Sequence, residues 1–230
     1  MQEKVAAERR YHTFILLMLS GGFMGAYSYY LKGGVFANAE TANLLIFAMH
    51  ISQGSFTEAA RVLIPISTFF IGTFFSEMFK DKLKHRWPSL LIFCEIILLA
   101  FLALLPENAP FTIFHVMIAL ISSMQYNTFR EARGVQLSTL FCTAHLRGGG
   151  SCLYNAVRTK DRTAYKKTFY HIGMILTFIA GAMLCSFSSR VLMSRTIALA
   201  IIPLFFVLIE VQKDRRNNAK HSRQPDADNL

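Results

Sequence analysis

Six apolar runs, each close to the length of a membrane crossing, set most of what this chain can become. A helix rises about 1.5 Å per residue and the hydrocarbon core of a bilayer is about 30 Å thick, so roughly 20 apolar residues cross it. The runs are His12 to Leu31, Thr57 to Phe79, Trp87 to Leu105, Phe111 to Phe129, Phe169 to Phe187 and Val191 to Val211. Two further stretches, Phe36 to Ile51 and Val135 to Tyr154, are headed or interrupted by Glu40, Asn43, His145, Arg147 and the glycines at 148–150. These fall short as crossings. With 53% hydrophobic and 17% charged residues in 230, the composition is that of a membrane protein. The expected fold class is an all-α integral membrane protein, with six transmembrane helices plus two short re-entrant or half helices.

The net charge of +10 raises the question of nucleic acid, but the basic residues sit between apolar runs, as in cytoplasmic loops that orient insertion. The clusters are Lys80 to Arg86, Arg158 to Lys167 and Lys213 to Arg223. If both short stretches dip in and return, these clusters and the N-terminus share the cytoplasmic side; if Phe36 to Ile51 crossed, Lys80 would face outward. The outer loops are then Pro106 to Pro110 and Ser188 to Ser189. Arg9 and Arg10 before an apolar run imitate a signal peptide, yet equivalent runs recur throughout, so the first is expected to stay.

Division near Pro106 leaves two halves, 11–105 and 110–212, in one transmembrane domain over 1–212, followed by a basic, polar tail over 213–230 expected to be disordered. Each half reads span, short segment, span, span, an odd number of crossings, so the halves form inverted 3+3 repeats. Echoes run in the same order in both: Gly34-Val35 then Thr41-Ala42-Asn43-Leu44, against Gly134-Val135 then Thr143-Ala144-His145-Leu146. Thr68 to Gly72 is likewise echoed by Thr177 to Gly181.

The stretch GGFMGAYSYYLKGGVFANAETANLL carries Gly21, Gly22 and Ala26, then Thr41 and Asn43. On these residues the chain resembles the YoaK-like family of bacterial multi-pass inner-membrane proteins, in which a Gly-Gly-x-x-Asp-Ala helix precedes a Thr-Gly-Asn element. The resemblance continues through Pro65 to Gly72 and Met124-Gln125, and spans nearly all of the chain. Gly25 stands where the family has an acid, and Ala42 where it has glycine. It implies a bacterial plasma-membrane location and no established activity.

Non-helical backbone at membrane depth survives only when buried in protein or lining an aqueous cavity, and transporters with inverted repeats use such broken helices to bind substrate. The expected substrate-binding groups are Asn38, Glu40, Thr41 and Asn43 from one half, with Gln125, Asn127, Ser138, Thr139, Thr143 and His145 from the other. Thr41 and Asn43 equally suit helix capping. Glu95 lies mid-span, where an ionised acid costs about 3 kcal/mol, and with His115 it is the expected proton relay. Glu77 and Arg61 should pair or snorkel near span ends. Tyr27, Tyr29 and Tyr30 should form an outer aromatic belt, with Trp87 on the inner side.

No catalytic residue, metal site or cofactor is expected: GxGxxG, Walker and HExxH motifs are missing, and Cys94, Cys142, Cys152 and Cys185 lack ligand spacing. The expected function is a small secondary transporter or permease, proton-coupled through Glu95. The alternative is a membrane scaffold, or a lipid- or partner-binding protein, whose polar residues are structural. Expected partners are the lipid bilayer and a small-molecule or ion substrate, with a homodimer as one way to enclose a pathway, and no nucleic acid.

Overall fold

The computed structural model describes residues 10–221, with side chains through Asp214. The chain is helical almost throughout. Its elements are α1 (Tyr11–Leu31), α2 (Glu40–Ser52), α3 (Phe56–Leu83), α4 (Trp87–Leu104), α5 (Phe111–Thr128), β1 (Glu131–Ala132), β2 (Val135–Gln136), α6 (Cys142–Thr159), α7 (Arg162–Leu192) and α8 (Ile201–His221). Three helical stretches, Tyr11–Leu31, Phe56–Leu104 and Arg162–Asp214, are long and apolar enough to cross a membrane. Large apolar side chains such as Phe70, Phe74, Leu104, Phe169 and Val191 stand exposed around the outside. Water would penalise so much exposed apolar area, whereas lipid would not.

The first helix is the central post. Phe14, Leu17, Met18, Phe23, Met24 and Tyr27 of α1 are all buried, because helices cover it on several sides. It packs along α7, while α3 packs along α5; α2 lies on α3, α6 on α7, and α4 meets α8. A side chain at Gly22 would strike the Phe178 carbonyl of α7, and one at Gly181 the Leu19 carbonyl of α1, so glycine on both helices lets their backbones touch. The long helices end alike. Lys84 after α3 and Met193 after α7 both have positive φ, 46° and 49°, and each leads into a 3-10 turn, Lys84–Arg86 or Met193–Ala200.

Several boundaries differ from the sequence expectation, for local reasons. The glycines at 148–150 do not interrupt α6; Gly148 lies against the His171 ring, where a side chain would collide, and Gly149 sits close to the same residue's Cβ. Ser188 and Ser189 form no loop, since their hydroxyls bond back to the Leu184 and Ser186 carbonyls inside α7. The reversal falls instead at Met193. β1 and β2 form a small antiparallel hairpin that the helical pattern does not announce. Arg133 and Gly134 at its tip both have positive φ, 52° and 69°, as a two-residue type I′ turn requires. The expected disordered tail begins as helix, because α8 runs on to His221; residues 222–230 lie outside the described ones. The α8 end is tied to the start of α1 by Arg10 to Asp214 at 2.8 Å and His12 to Glu210 at 2.7 Å.

Two aromatic expectations also change. Tyr29 and Tyr30 are exposed as a belt requires, but Tyr27 is fully buried and Trp87 nearly so, stacked on Phe79 with its Nε1 donating to Thr128 Oγ1. An indole or phenol buries well once its polar atom has a partner. Glu77 accepts from Lys80 and Arg130, and Arg61 donates to Glu58, so both pair at helix ends.

Candidate functional site

Two non-helical stretches, 32–39 ahead of α2 and 137–141 ahead of α6, converge on one turn of α1. Asn38 Nδ2 donates to the Gly21 carbonyl at 3.0 Å. From the other side, the Thr139 carbonyl would stand 2.5 Å from any Cβ at Gly21. Only glycine leaves room for that carbonyl. Asn38 also lies over Gly25, its Oδ1 3.0 Å from where a Cβ would be. At the position where the family resemblance implies an acid, this chain has no side chain, and the Asn38 amide supplies the polar group.

The short helices are fastened by the same bond. Asn43 Nδ2 donates to the carbonyl of Phe36 at 2.5 Å, seven residues back, and to Glu40 Oε2 at 3.0 Å. His145 Nε2 donates to the carbonyl of Ser138 at 2.9 Å, again seven residues back. A carbonyl can only accept, so neutral His145 carries its proton on Nε2 and presents Nδ1 as an acceptor. His145 Nδ1 lies 3.1 Å from His171 Nδ1, which must therefore donate. The sequence reading missed His171, whose only signal was a histidine within an apolar run. Thr41 and Thr143, expected beside these groups, are exposed at the first turns of α2 and α6.

Several of the other expected groups are buried with polar atoms that have no partner among the described residues. These include both oxygens of Glu95, the whole Gln125 amide, Thr139 Oγ1, Asn43 Oδ1 and Glu40 Oε1. Each such atom costs about 1–3 kcal/mol if nothing meets it, so the concentration calls for waters or a ligand. Glu95 and His115 are not brought together as a relay. His115 Nε2 meets the Lys32 carbonyl at 2.7 Å, while no counter-charge meets Glu95 among the described residues. Beside α6 a cavity of about 910 Å³ opens, with Asn127, Ser138, Arg147, Lys167 and His171 in its wall.

A family model described as "Protein of unknown function (DUF1275)" matches residues 13–209, most of the chain and every residue of these two clusters. The chain belongs to the DUF1275 family. The YoaK-like resemblance is consistent with it. No curated protein and no solved structure matches.

Sequence reasoning gave no hint of a further polar knot within the DUF1275 region. Lys32, the residue after α1, is 1% exposed and donates to Ser194 Oγ at 2.6 Å, its ammonium 3.9 Å from the centre of the Phe114 ring. Ser194 in turn donates from Oγ and from its backbone N to Glu107, at 2.5 and 3.1 Å, and its carbonyl accepts from Tyr27. Burial pulls the Lys32 pKa down, against the pull of Glu107. The Ser194 hydrogen bonds, chiefly that from the hydroxyl, hold the Glu107 carboxyl below its ordinary value. The knot joins the ends of α1 and α7 to the α4–α5 connection. Its partners are far apart in sequence, which is why no local pattern reveals it.

Proposed function

We propose that the chain is a small secondary transporter with six crossing helices, α1, α3, α4, α5, α7 and α8, arranged as two inverted halves whose short helices α2 and α6 carry a polar site between them. Both termini lie on the cytoplasmic side of a bacterial plasma membrane. The stretches Phe56–Leu104 and Arg162–Asp214 have 49 and 53 residues, about 73 and 80 Å if straight, more than twice the hydrocarbon thickness. Each contains a positive-φ reversal, which suits two crossings apiece. α5 is shorter and more polar and packs on α3 as α1 packs on α7, which supports counting it as the sixth.

The observation that carries the proposal is the matched bond seven residues back from Asn43 and His145. It fixes two short helices in the same way while their neighbours keep unpaired polar atoms, an arrangement a merely structural tie does not need. In this state the Lys32–Ser194–Glu107 knot closes the end of the bundle opposite the cavity. That pairing of one closed and one open end is what alternating access requires.

The test is side-specific labelling of single cysteines at Ser55 and Ser151 in a cysteine-free background, with an impermeant maleimide on intact cells. The expected outcome is labelling at Ser55, and at Ser151 only after the membrane is opened. Labelling of Ser151 from outside, or of Ser55 only from within, overturns the inverted arrangement. Glu95→Gln and Asn43→Ala in proteoliposomes then separate transport from support: a folded variant that has lost flux supports a site, and one that fails to fold assigns the residue to structure.

A further inference from the structure

We infer that the cavity beside α6 is the binding site for a small oxyanion, and that His171 takes up a proton when the anion binds. The proposal depends on the transport reading for what the anion is there for, and on the cavity alone for the binding itself.

The wall of the cavity offers donors in excess of acceptors. Arg147 and Lys167 line the same space with no ion-pair partner among the described residues, whereas Arg130 is committed to Glu77 at 2.6 Å. Glu131 is the one acidic residue in the wall. Two uncommitted cations suit an oxyanion's several acceptor oxygens.

The histidine pair determines where a proton can go. His145 donates through Nε2 to the Ser138 carbonyl, so its Nδ1 accepts from His171 Nδ1. Neutral His171 is thereby left with a bare Nε2, which lies against Gly148 in the cavity wall. Protonation there leaves both existing hydrogen bonds intact and adds a positive charge beside the anion. A second proton would have to enter between the two Nδ1 atoms, where the bond already holds one. The charged and titratable groups that share the cavity wall with His171 are Arg147 and Cys152 on α6, Lys167 on its own helix, Tyr126 of α5, and Arg130 and Glu131 at the hairpin, with His145 bonded to its Nδ1. Tyr170, the residue before it, engages Tyr11 of α1 and Arg133. The 3-10 turn after α7 lies beyond the far end of the helix, about 30 Å away by helical rise.

An oxyanion here could be a free solute or the phosphate of an anionic lipid, since Arg and Lys near a membrane surface attract both. The test is equilibrium binding of sulfate, which does not titrate near neutrality, to the full chain in phosphatidylcholine nanodiscs at about pH 5.5 and about pH 7.5, the range in which histidine does. The expected result is about tenfold tighter binding at the lower pH, with uptake of about half a proton per sulfate between the two. His171→Gln should abolish the pH difference, and Lys167→Met should weaken binding at both pH values while preserving it. Addition of phosphatidylglycerol separates the sources: displacement of sulfate makes the lipid phosphate the occupant, and lack of displacement makes it a free solute. Equal affinity at the two pH values, a pH difference that survives His171→Gln, or no sulfate binding overturns the proposal. Binding in a nanodisc needs no net crossing, so its failure leaves the topology test untouched, and a wrong topology leaves the binding result standing.

Discussion

α2 and α6 share a frame and differ in what the frame holds. Each follows a glycine of positive φ and a buried valine, Gly34-Val35 or Gly134-Val135, and each is tied by a side chain to a carbonyl seven residues back. In the first half the tie is an amide whose second partner, Glu40, belongs to the same short helix. In the second it is a histidine whose second partner is on α7, at the edge of a cavity. The α1–α2 connection is locked through Lys32 to Ser194, whereas the α5–α6 connection is a hairpin whose base lines the cavity. The common frame positions both segments against α1, and on the proposed reading the difference gives α2 an anchoring role and α6 the working one.

The largest effect should come from removing what the two regions share. Gly21→Leu would drive a side chain into the Thr139 carbonyl and the Leu140 side chain, a backbone conflict costing about 3 kcal/mol or more. The folded peak on size exclusion in detergent should disappear; its survival would mean that the two segments do not depend on a common turn. A smaller effect should separate them. Asn43→Ala leaves the Phe36 carbonyl and Glu40 unpaired in a closed site and should cost about 2 kcal/mol, while His145→Ala opens onto a cavity that water can fill and should cost about 1 kcal/mol. Thermal unfolding of the pair checks the order, and the reverse order would break the division into anchor and working half. The smallest concerns the locked connection. The carboxyl of Glu107 is held below its unfolded value, so its stabilisation is present above that value and is lost as pH falls through the lower, folded one. Wild type should therefore exceed Glu107→Gln in Tm near neutrality, with the gap closing only below about pH 4.

The helices were legible because a bilayer demands a run length that no soluble pattern imitates, and the Thr-Ala-Asn and Thr-Ala-His words located both short helices. Their ends were less so. The glycines at 148–150 looked like a break because sequence does not show that the His171 ring needs the room. The hairpin escaped because strands of two residues carry no period, leaving only Arg133-Gly134 as a signal. Asn43 and His145 were found as candidates from their place in a repeat. His171 and the Lys32 knot were not, because each is defined by a partner on a distant helix, and Thr41 and Thr143 were included through adjacency although the helix turns them outward.

The separation of Lys32 from Ser194 also has a temporal side. The two residues are 162 positions apart, roughly 10 to 30 s of synthesis at about 5–20 residues per second. During that interval the ammonium has neither Ser194 nor, at first, Glu107, and in the proposed topology it waits on the far side of the membrane. That end can lock only once α7 and the turn after it have been made. A chain truncated before Ser194 therefore stays unlatched, and the knot marks synthesis through the end of α7, before α8 is made.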